Sequence, residues 1–357
     1  MSLKEIAEIV GVSAATVSRV LNDPDHHCSS DETRKRIWTV ARQLNYTPNF
    51  SARNLKLGIE NSRSRIQYID VLLTRPGALE TDGFFSELLK ILQSEVPKKN
   101  CILSSVENIP AFSDETLCKR IDMERKLLES GLSRNANGLI IMGKCYSGVL
   151  SLLKKQYKNI VSLNRNATNF AIDEICCNGS QIASTAVEYL ISLGHRHIGY
   201  IGDTHSESRY RGFQTALFKH HLNLDPEFII PAEHTESAGL HVMETLLKKT
   251  SELPTAYYCA TDSLALGMLR CLSQSRNRYY SPSIIGSDDI TQAQYSKPML
   301  STIHLPKEEM VKFTLDLLLD RINGGHQNNV SIIMEGKLLV RESTSLVENS
   351  RCVEYYI

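Results

Sequence analysis

The chain has 357 residues, which at about 100 to 200 residues per domain predicts two or three domains. Hydrophobic residues make up 42% and charged residues 22%, a composition that excludes a disordered, collagen-like or coiled-coil chain. Forty basic residues balance forty acidic ones, which excludes nucleic-acid binding through one overall basic field, so any basic patch must be local.

The first 22 residues predict two short helices joined by a tight turn. Ser2 and Glu5 have the Ser-x-x-Glu spacing of a capping box, and apolar residues then recur at helical spacing up to Val10. Gly11 is expected to end this helix, because glycine adopts the left-handed conformation at little cost. Ser13 can cap a second helix with a small and polar outer face. Its inner residues are predicted to be Val17, Val20 and Leu21.

A third amphipathic helix is predicted to follow from a cap at Ser29 or Ser30, with basic residues on or near its outer side. Its buried stripe comprises Ile37, Val40, Ala41 and Leu44. Two helices joined by a Gly-containing turn are what a helix-turn-helix needs to place its second helix in the major groove of DNA. Capped amphipathic helices are common, so spacing alone leaves a generic helical bundle open.

Five stretches within residues 1 to 57 occur in a characteristic order: Leu3-Lys4-Glu5-Ile6-Ala7, Gly11-Val12-Ser13-Ala14-Ala15-Thr16-Val17-Ser18-Arg19-Val20-Leu21-Asn22, Glu32-Thr33-Arg34, Leu44-Asn45-Tyr46-Thr47-Pro48-Asn49 and Ala52-Arg53-Asn54-Leu55. Together they closely resemble the headpiece of the lactose/galactose repressor (LacI/GalR) family. The loop between Asn22 and Glu32 looks slightly longer than in that family, so phosphate contacts from this loop are not carried over.

The resemblance implies a role for individual side chains of the second helix. Phosphate contacts fall on Ser13, Thr16, Ser18 and Asn22. Base contacts fall on Ala14, Ala15 and Arg19, and Arg19 is the candidate for a bidentate contact to guanine.

The resemblance also implies a hinge helix from Asn49 to Lys56, after a break at Pro48. There Leu55 would be the wedge that enters the minor groove, and Ala52 would let paired hinge helices approach closely. Without the resemblance, Leu55 would be interpreted as an exposed apolar residue in a linker.

From Gln67 onward, short apolar runs alternate with amphipathic stretches, which predicts repeated βαβ units and an α/β fold with two doubly wound parallel sheets. The predicted strands are Ile69–Leu73, Leu139–Met142, Ile160–Leu163, Ile198–Ile201, Ala256–Cys259, Ile284–Ile285 and Leu300–Leu305. Small ligands bind outside the carboxyl ends of such strands, and two lobes would face each other across a cleft.

The family resemblance continues through this segment. Its stretches are Leu193-Gly194-His195-Arg196-His197-Ile198-Gly199, Arg209-Tyr210-Arg211-Gly212-Phe213, Ala260-Thr261-Asp262-Ser263-Leu264-Ala265-Leu266-Gly267, Gly286-Ser287-Asp288-Asp289 and Pro298-Met299-Leu300-Ser301-Thr302-Ile303. They resemble the periplasmic-binding-protein-like effector domain of the family, whose chain crosses between lobes three times, here near residues 175, 303 and 330.

The expected organisation is a headpiece with its hinge helix over 1–57, a linker over 58–66, an effector-binding and dimerisation domain over 67–345 and a tail over 346–357. Lobe 1 is expected over 67–174 and 304–330, and lobe 2 over 175–303 and 331–345.

The resemblance assigns the ligand contacts to Thr74, Asn164, Arg209, Thr261 and Asp288. A charged Arg and Asp suit a polyhydroxyl ligand, because charge-assisted hydrogen bonds are about twice as strong as neutral ones. Asn164 and Thr261 stand where Asp and Asn are commoner in sugar-binding members. Arg209 and Asp288 could instead form an ion pair between the lobes. Much of the later half resembles a repressor of a β-galactosidase operon, so a galactoside is the preferred effector.

Metal, cofactor and catalytic sites are not predicted. The nine cysteines form no Cys-x-x-Cys spacing, and Cys176-Cys177 is interpreted as buried packing. The His26-His27-Cys28 cluster is interpreted as a solvated loop, and His195 and His197 as part of a helix end and turn. Neither a Gly-x-Ser-x-Gly nor a Gly-x-Gly-x-x-Gly motif nor a Walker loop occurs.

The sequence therefore predicts a carbohydrate-responsive repressor that binds a pseudo-palindromic DNA operator and is not an enzyme. A solute-binding receptor and a two-lobed hydrolase are the alternatives. With no signal peptide and no apolar run near the roughly 18 residues that span a bilayer, we expect a cytoplasmic protein. The headpiece holds eight basic and six acidic residues, net +2. The tail is too short and irregular for the heptad repeat that makes some relatives tetrameric, so we expect a homodimer. Dimerisation doubles the modest headpiece charge, which explains why one headpiece alone should bind DNA weakly.

Overall fold

The computed structural model describes residues 3–22, 30–43, 66–75, 82–132, 135–168, 170–205, 207–249, 252–275 and 280–349. The chain divides into two compact units, Met1–Arg65 and Ile66–Ile357.

The first unit contains three helices: α1 (Leu3–Val10), α2 (Ala14–Asn22) and α3 (Asp31–Gln43). Gly11 has a φ of 77°, the left-handed conformation that ends α1. The N–H of Thr33 donates to Ser30 Oγ at 3.3 Å, so Ser30 caps α3. The predicted helices and their turn are confirmed. The shared core consists of Ile6, Ala7, Val10, Val17, Val20, Leu21 and Ile37.

Twelve strands are assigned among the described residues of the second unit. They are β1 (Gln67–Leu73), β2 (Cys101–Asn108), β3 (Gly138–Met142), β4 (Ile160–Asn166), β5 (Asp173–Cys177), β6 (Ile198–Ile201), β7 (Ile229–Ile230), β8 (Ala256–Cys259), β9 (Ser283–Ile285), β10 (Thr302–His304), β11 (Ser331–Met334) and β12 (Lys337–Leu339). A six-stranded parallel sheet has the spatial order β11-β5-β4-β3-β1-β2, and a four-stranded parallel sheet the order β7-β6-β8-β9. Strands β10 and β12 form an antiparallel pair.

Helices connect these strands. They are α4 (Gly83–Glu95), α5 (Glu115–Cys118), α6 (Met123–Glu129), α7 (Ser147–Gln156), α8 (Gly179–Ser192), α9 (Ser208–Lys219), α10 (Glu236–Leu246), α11 (Asp262–Gln274) and α12 (Lys307–Ile322). Alternate strand residues bury opposite faces of the first sheet: Val71 packs in the core that contains α4 and α12, whereas Leu72 packs in the core that contains α6 and α7. The two-lobed α/β fold is confirmed.

The chain crosses between the sheets later than the sequence predicts at two of three points. Strand β5 belongs to the first sheet as far as Cys177, so the first crossing follows Cys177, two residues beyond the expected position near 175. Strand β11 pairs with β5 from Ser331 to Met334, so residues 331–334, expected in lobe 2, belong to the first sheet. The physical reason is the hydrogen-bonded ladder between β5 and β11, which no local pattern reveals.

Candidate functional site

The outer face of α2 carries the residues that the resemblance assigns to DNA. Ala15 and Arg19 are exposed on it, and Ala14 and Thr16 are half-buried. Ser13 caps the helix, because the N–H of Thr16 donates to its Oγ at 3.0 Å. This face is small and polar around the Arg19 guanidinium, as base reading in a major groove requires. The side chains of Ser18 and Asn22, and the residues Asn49, Ala52 and Leu55, lie outside the described residues.

Three of the five predicted ligand contacts already form hydrogen bonds within the protein, mostly to backbone groups. The Thr74 hydroxyl donates to the carbonyl of Lys144. Asn164 Oδ1 accepts from the N–H of Gly143 at 2.8 Å, and its Nδ2 donates to a neighbouring serine hydroxyl at 2.6 Å. Thr261 caps α11, where its hydroxyl accepts from Leu264. Their role as ligand contacts stays a prediction, and each also holds backbone beside the cleft.

Arg209 opens α9 and is fully buried at the carboxyl end of the second sheet. Its Nε donates to Glu207 Oε1 at 3.0 Å, and its Nη1 donates to the carbonyl of Ala260 at the end of β8. Burial opposes ionisation of Glu207, but the Arg209 charge and hydrogen bonds outweigh it and hold the pKa of that carboxyl well below its usual value. The pair is therefore fully ionised.

Asp288 follows β9 and faces the first lobe. Its φ is 128°, and the Lys307 ammonium holds this backbone by donating to the carbonyls of Asp288 and Asp289, both at 2.7 Å. Asp288 Oδ1 lies 2.8 Å from Arg165 Nε. Burial raises the pKa of Asp288 to about 6, although Arg165 and Arg209 act in the opposite direction. The direct Arg209–Asp288 pair considered from the sequence is wrong, because each has another partner.

Sequence reasoning missed the arginine that links the two lobes. Arg165 lies near the end of β4 with its side chain only 6% exposed, and its Nη2 donates to Asp82 Oδ1 at 3.1 Å. Asp82 Oδ2 also accepts from Arg75 Nε at 3.1 Å. The guanidinium carbons of Arg165 and Arg75 lie 4.5 Å and 4.8 Å from the ring centroids of Phe84 and Phe85, respectively. A charged residue that directly follows an apolar strand was the available signal.

Three buried polar atoms at this edge of both sheets have no partner: Asn166 Oδ1, Ser208 Oγ and His234 Nε2. Arg165 Nε and Asp288 Oδ1 do not form a hydrogen bond of standard geometry, but they pair with each other as ions at 2.8 Å. A Cβ built on Gly179 would lie 2.1 Å from Asn166 Oδ1 and 2.3 Å from Ser208 Oγ, so both atoms crowd the start of α8. Burial, with Arg209 and Arg165 nearby, lowers the pKa of His234 well below its usual value. This cleft thus combines unfilled donors and acceptors with a neutral imidazole.

Other candidate chemistry from the sequence has a structural explanation. His195 is buried, and its two ring nitrogens lie 2.9 Å from Thr255 Oγ1 and 3.0 Å from Ser283 Oγ. Burial raises the pKa of Cys176 and Cys177 to about 12, as expected of packing thiols. In the described ranges, no group of three or more His, Cys, Asp and Glu residues could hold a metal ion. The His26-His27-Cys28 cluster lies outside them.

Comparisons with protein families match both units. The model for bacterial regulatory proteins of the lacI family matches residues 2–49, and that for a periplasmic binding protein-like domain matches residues 187–344. The chain therefore combines a lacI-family DNA-binding domain with a periplasmic binding protein-like domain. This protein is a DNA-binding transcriptional regulator. No helix among its described residues is long and apolar enough to cross a membrane.

Individual relatives match over almost the full chain. The HTH-type transcriptional repressor PurR of Salmonella paratyphi A is 28% identical over 356 residues, which cover 96% of this chain and 97% of PurR. The lac repressor dimer bound to operator and the anti-inducer ONPF is 23% identical with a TM-score of 0.66, covering 97% and 99% of the two chains. A transcriptional regulator CelR–cellobiose complex is 21% identical with a TM-score of 0.64, covering 96% and 100%. The two structural matches share the fold of this chain.

Proposed function

We propose that this regulator is a cytoplasmic homodimeric repressor of the LacI family that binds a pseudo-palindromic operator and is controlled by a small carbohydrate between its two lobes. The proposed division of labour keeps the headpiece and hinge over 1–57, the linker over 58–66 and the effector domain over 67–345. The observation that carries the ligand site is the set of buried, unpartnered polar atoms between the two sheets. Buried polar atoms are normally hydrogen-bonded, so such a group favours a polar ligand.

The relatives support the repressor half of this proposal. PurR is a transcriptional repressor, and a lac repressor structure holds an operator on a dimer. Repressors are not enzymes, which favours a regulator over a two-lobed hydrolase. The lacI-family match at residues 2–49 favours it over a receptor without DNA function. The cellobiose in the CelR complex supports a sugar as effector, and a galactoside remains our preferred candidate.

The contact between the two lobes suggests how a ligand would change the affinity for DNA. Asp288 belongs to the second lobe and contacts Arg165 of the first lobe, so a ligand at these side chains touches both lobes. A ligand shifts a conformational equilibrium only through its different affinity for the two states. A sugar that hydrogen-bonds to groups of both lobes beside this contact changes the relative stability of the open and closed cleft, and this change would reach the headpiece through the hinge residues.

The test uses the full chain and DNA selected from a random pool. We expect recovery of a pseudo-palindromic site, and a change in its affinity when lactose, galactose, ribose or cellobiose is added. Asp288→Ala should abolish the sugar response while affinity for the operator without sugar stays within a few fold. Asp225→Asn, at the opposite edge of the second sheet, is the matched control and should respond normally. Failure to enrich any DNA, or normal sugar response in Asp288→Ala, would overturn the proposal.

A further inference from the structure

The cleft holds three arginines and three carboxylates that neutralise one another. Arg75 Nη2 lies 2.9 Å from Asp82, and Arg165 lies 3.1 Å from Asp82 and 2.8 Å from Asp288. The third arginine, Arg209, lies 3.0 Å from the Glu207 carboxylate. All six side chains are at least four-fifths buried. The cluster therefore carries no net charge for a ligand to neutralise.

Other nearby groups do not add positive charge to the cluster. His234 is neutral for the reasons given above. The Lys307 ammonium is held by Glu87 Oε2 at 3.2 Å in addition to two carbonyls. Asp262 is a further buried carboxyl near Asp288, and burial together with the Asp288 charge raises its pKa to about 7. Ionisation of Asp262 would make the surroundings negative, which disfavours an anionic ligand further.

The polar atoms of the cleft that lack a hydrogen-bond partner require a ligand with both donors and acceptors. Asn166 Oδ1 can only accept, whereas Arg165 Nε and Asp288 Oδ1 already face each other at 2.8 Å. Ser208 Oγ can do both, and His234 Nε2 does one or the other according to its tautomer. A sugar hydroxyl donates one hydrogen bond and accepts others, so several hydroxyls match this mixture. An ionised carboxylate can only accept, so that group cannot itself satisfy the buried acceptors.

We infer that the ligand of this cleft is an uncharged polyhydroxyl compound and that Arg165 excludes sugar acids because Asp82 and Asp288 already neutralise it. The inference rests on the proposed function and narrows the chemical class of the effector. An anionic ligand that pairs with Arg165 would have to displace Asp288 and leave a buried carboxylate unpaired, or displace Asp82 and leave it with Arg75 alone. Loss of an ion-pair partner by a buried charge is strongly unfavourable.

Asp82→Asn tests the charge argument with little change of shape. Asp82 caps α4, since its carboxylate accepts from the N–H of Phe85, and asparagine is about as good an N-cap. Its amide oxygen can still accept from a guanidinium, but the substitution leaves the cluster with one uncompensated positive charge. The variant should therefore admit an anionic sugar that the wild type rejects. Asp225→Asn removes a carboxylate that also caps a helical turn, far from the cleft, and is the matched control.

The experiment is calorimetric titration of the full chain at pH 7.5 with neutral sugars and their acids: lactose against lactobionate, galactose against galacturonate and glucose against glucuronate. We expect the wild type to bind a neutral member at least about tenfold more tightly than its acid, a difference of about 1.4 kcal/mol. Asp82→Asn should reduce that ratio at least about tenfold, and Asp225→Asn should leave it unchanged.

Three results would overturn the inference: an acid that binds the wild type as tightly as its neutral partner, a ratio unchanged by Asp82→Asn, or no binding by any neutral sugar of the set. If Asp82→Asn folds poorly, the ratio of neutral-sugar affinity to acid affinity in the wild type tests the inference by itself. Operator binding measured alongside separates this inference from the proposed function. If an acid binds as tightly as its neutral partner and shifts operator affinity, the inference of a neutral ligand is wrong and the proposed regulatory function stands. If a neutral sugar binds without any effect on operator affinity, only the regulatory proposal is wrong.

Discussion

Asp262 should make the second unit less stable as the pH rises, and Asp262→Asn should remove this effect. Its carboxylate accepts from Thr302 Oγ1 at 2.6 Å and from the N–H of Ile290 at 3.0 Å. Burial and the neighbouring Asp288 charge nevertheless raise its pKa from 3.8 to about 7. Because the folded state holds this proton more tightly than the unfolded chain, stability falls as the pH rises through the window between these two values.

The size of the effect follows from the two pKa values. One pKa unit corresponds to about 1.4 kcal/mol, so the full shift is worth about 4 kcal/mol, and about 2 to 3 kcal/mol of it develops between pH 5 and pH 8. Unfolding entropy is about 2 cal/mol/K per residue, so for the unit Ile66–Ile357 this difference corresponds to roughly 4 °C in the melting temperature.

Asparagine has the shape of aspartate and keeps an oxygen for the Ile290 N–H, so Asp262→Asn should fold. Thermal and denaturant unfolding at pH 5 and pH 8 are the measurements. Relative to the wild type, the variant should gain about 4 °C in melting temperature between pH 5 and pH 8. The exposed-site variant Asp225→Asn serves as the control for loss of one carboxylate. A stability difference between Asp262→Asn and wild type that stays constant over this range would contradict the raised pKa of Asp262.

Three further predictions concern both units. Arg19→Ala should cost about 1 to 3 kcal/mol of operator binding and relax the preference at one base pair per half-site, whereas Lys35→Ala should at most weaken all DNA sequences alike; an unchanged operator-to-random ratio in Arg19→Ala would contradict the recognition helix. Leu55→Ala should weaken operator binding in an anisotropy assay and leave calorimetric sugar affinity without DNA intact. Hydrogen bonds to Asp320 and a second carboxylate raise the pKa of His326, so its stabilisation is complete below about pH 6.5 and lost as the pH rises through the folded pKa. His326→Gln should therefore lower the melting temperature at pH 6 more than at pH 8, and an equal loss at both would contradict this role.

The helices of the first unit and several strands of the second could be predicted because their signals are local. Gly11 ends α1 and Ser13 caps α2 through contacts within three or four residues. Fully buried strands such as β3 and β8 appear as apolar runs. In contrast, β2 is an edge strand whose residues alternate between half-buried and exposed, and its serines and glutamate give no apolar run. Edge strands lack the burial that produces the pattern.

Strand β5 was not predicted from the sequence, for a different reason. It begins with two acidic residues, Asp173 and Glu174, and both are buried. Their burial depends on partners far along the chain: Arg321 Nη2 donates to Asp173 at 2.6 Å, and the N–H of Val330 donates to it at 2.9 Å. Because these partners lie about 150 residues away, only the tertiary structure makes an acidic strand possible.

The headpiece stretches and the alternation of strands and helices carry the family resemblance, so the kind of protein could be predicted without a structure. The sequence also singled out Arg209 and Asp288 as cleft residues. The charges that meet in the cleft could not be predicted in this way, because Asp82 precedes α4, Arg165 lies in β4 and Asp288 follows β9, and no spacing along the chain relates them. The physical reason is that burial makes a charge costly without a partner, and the fold alone determines which partner is within reach.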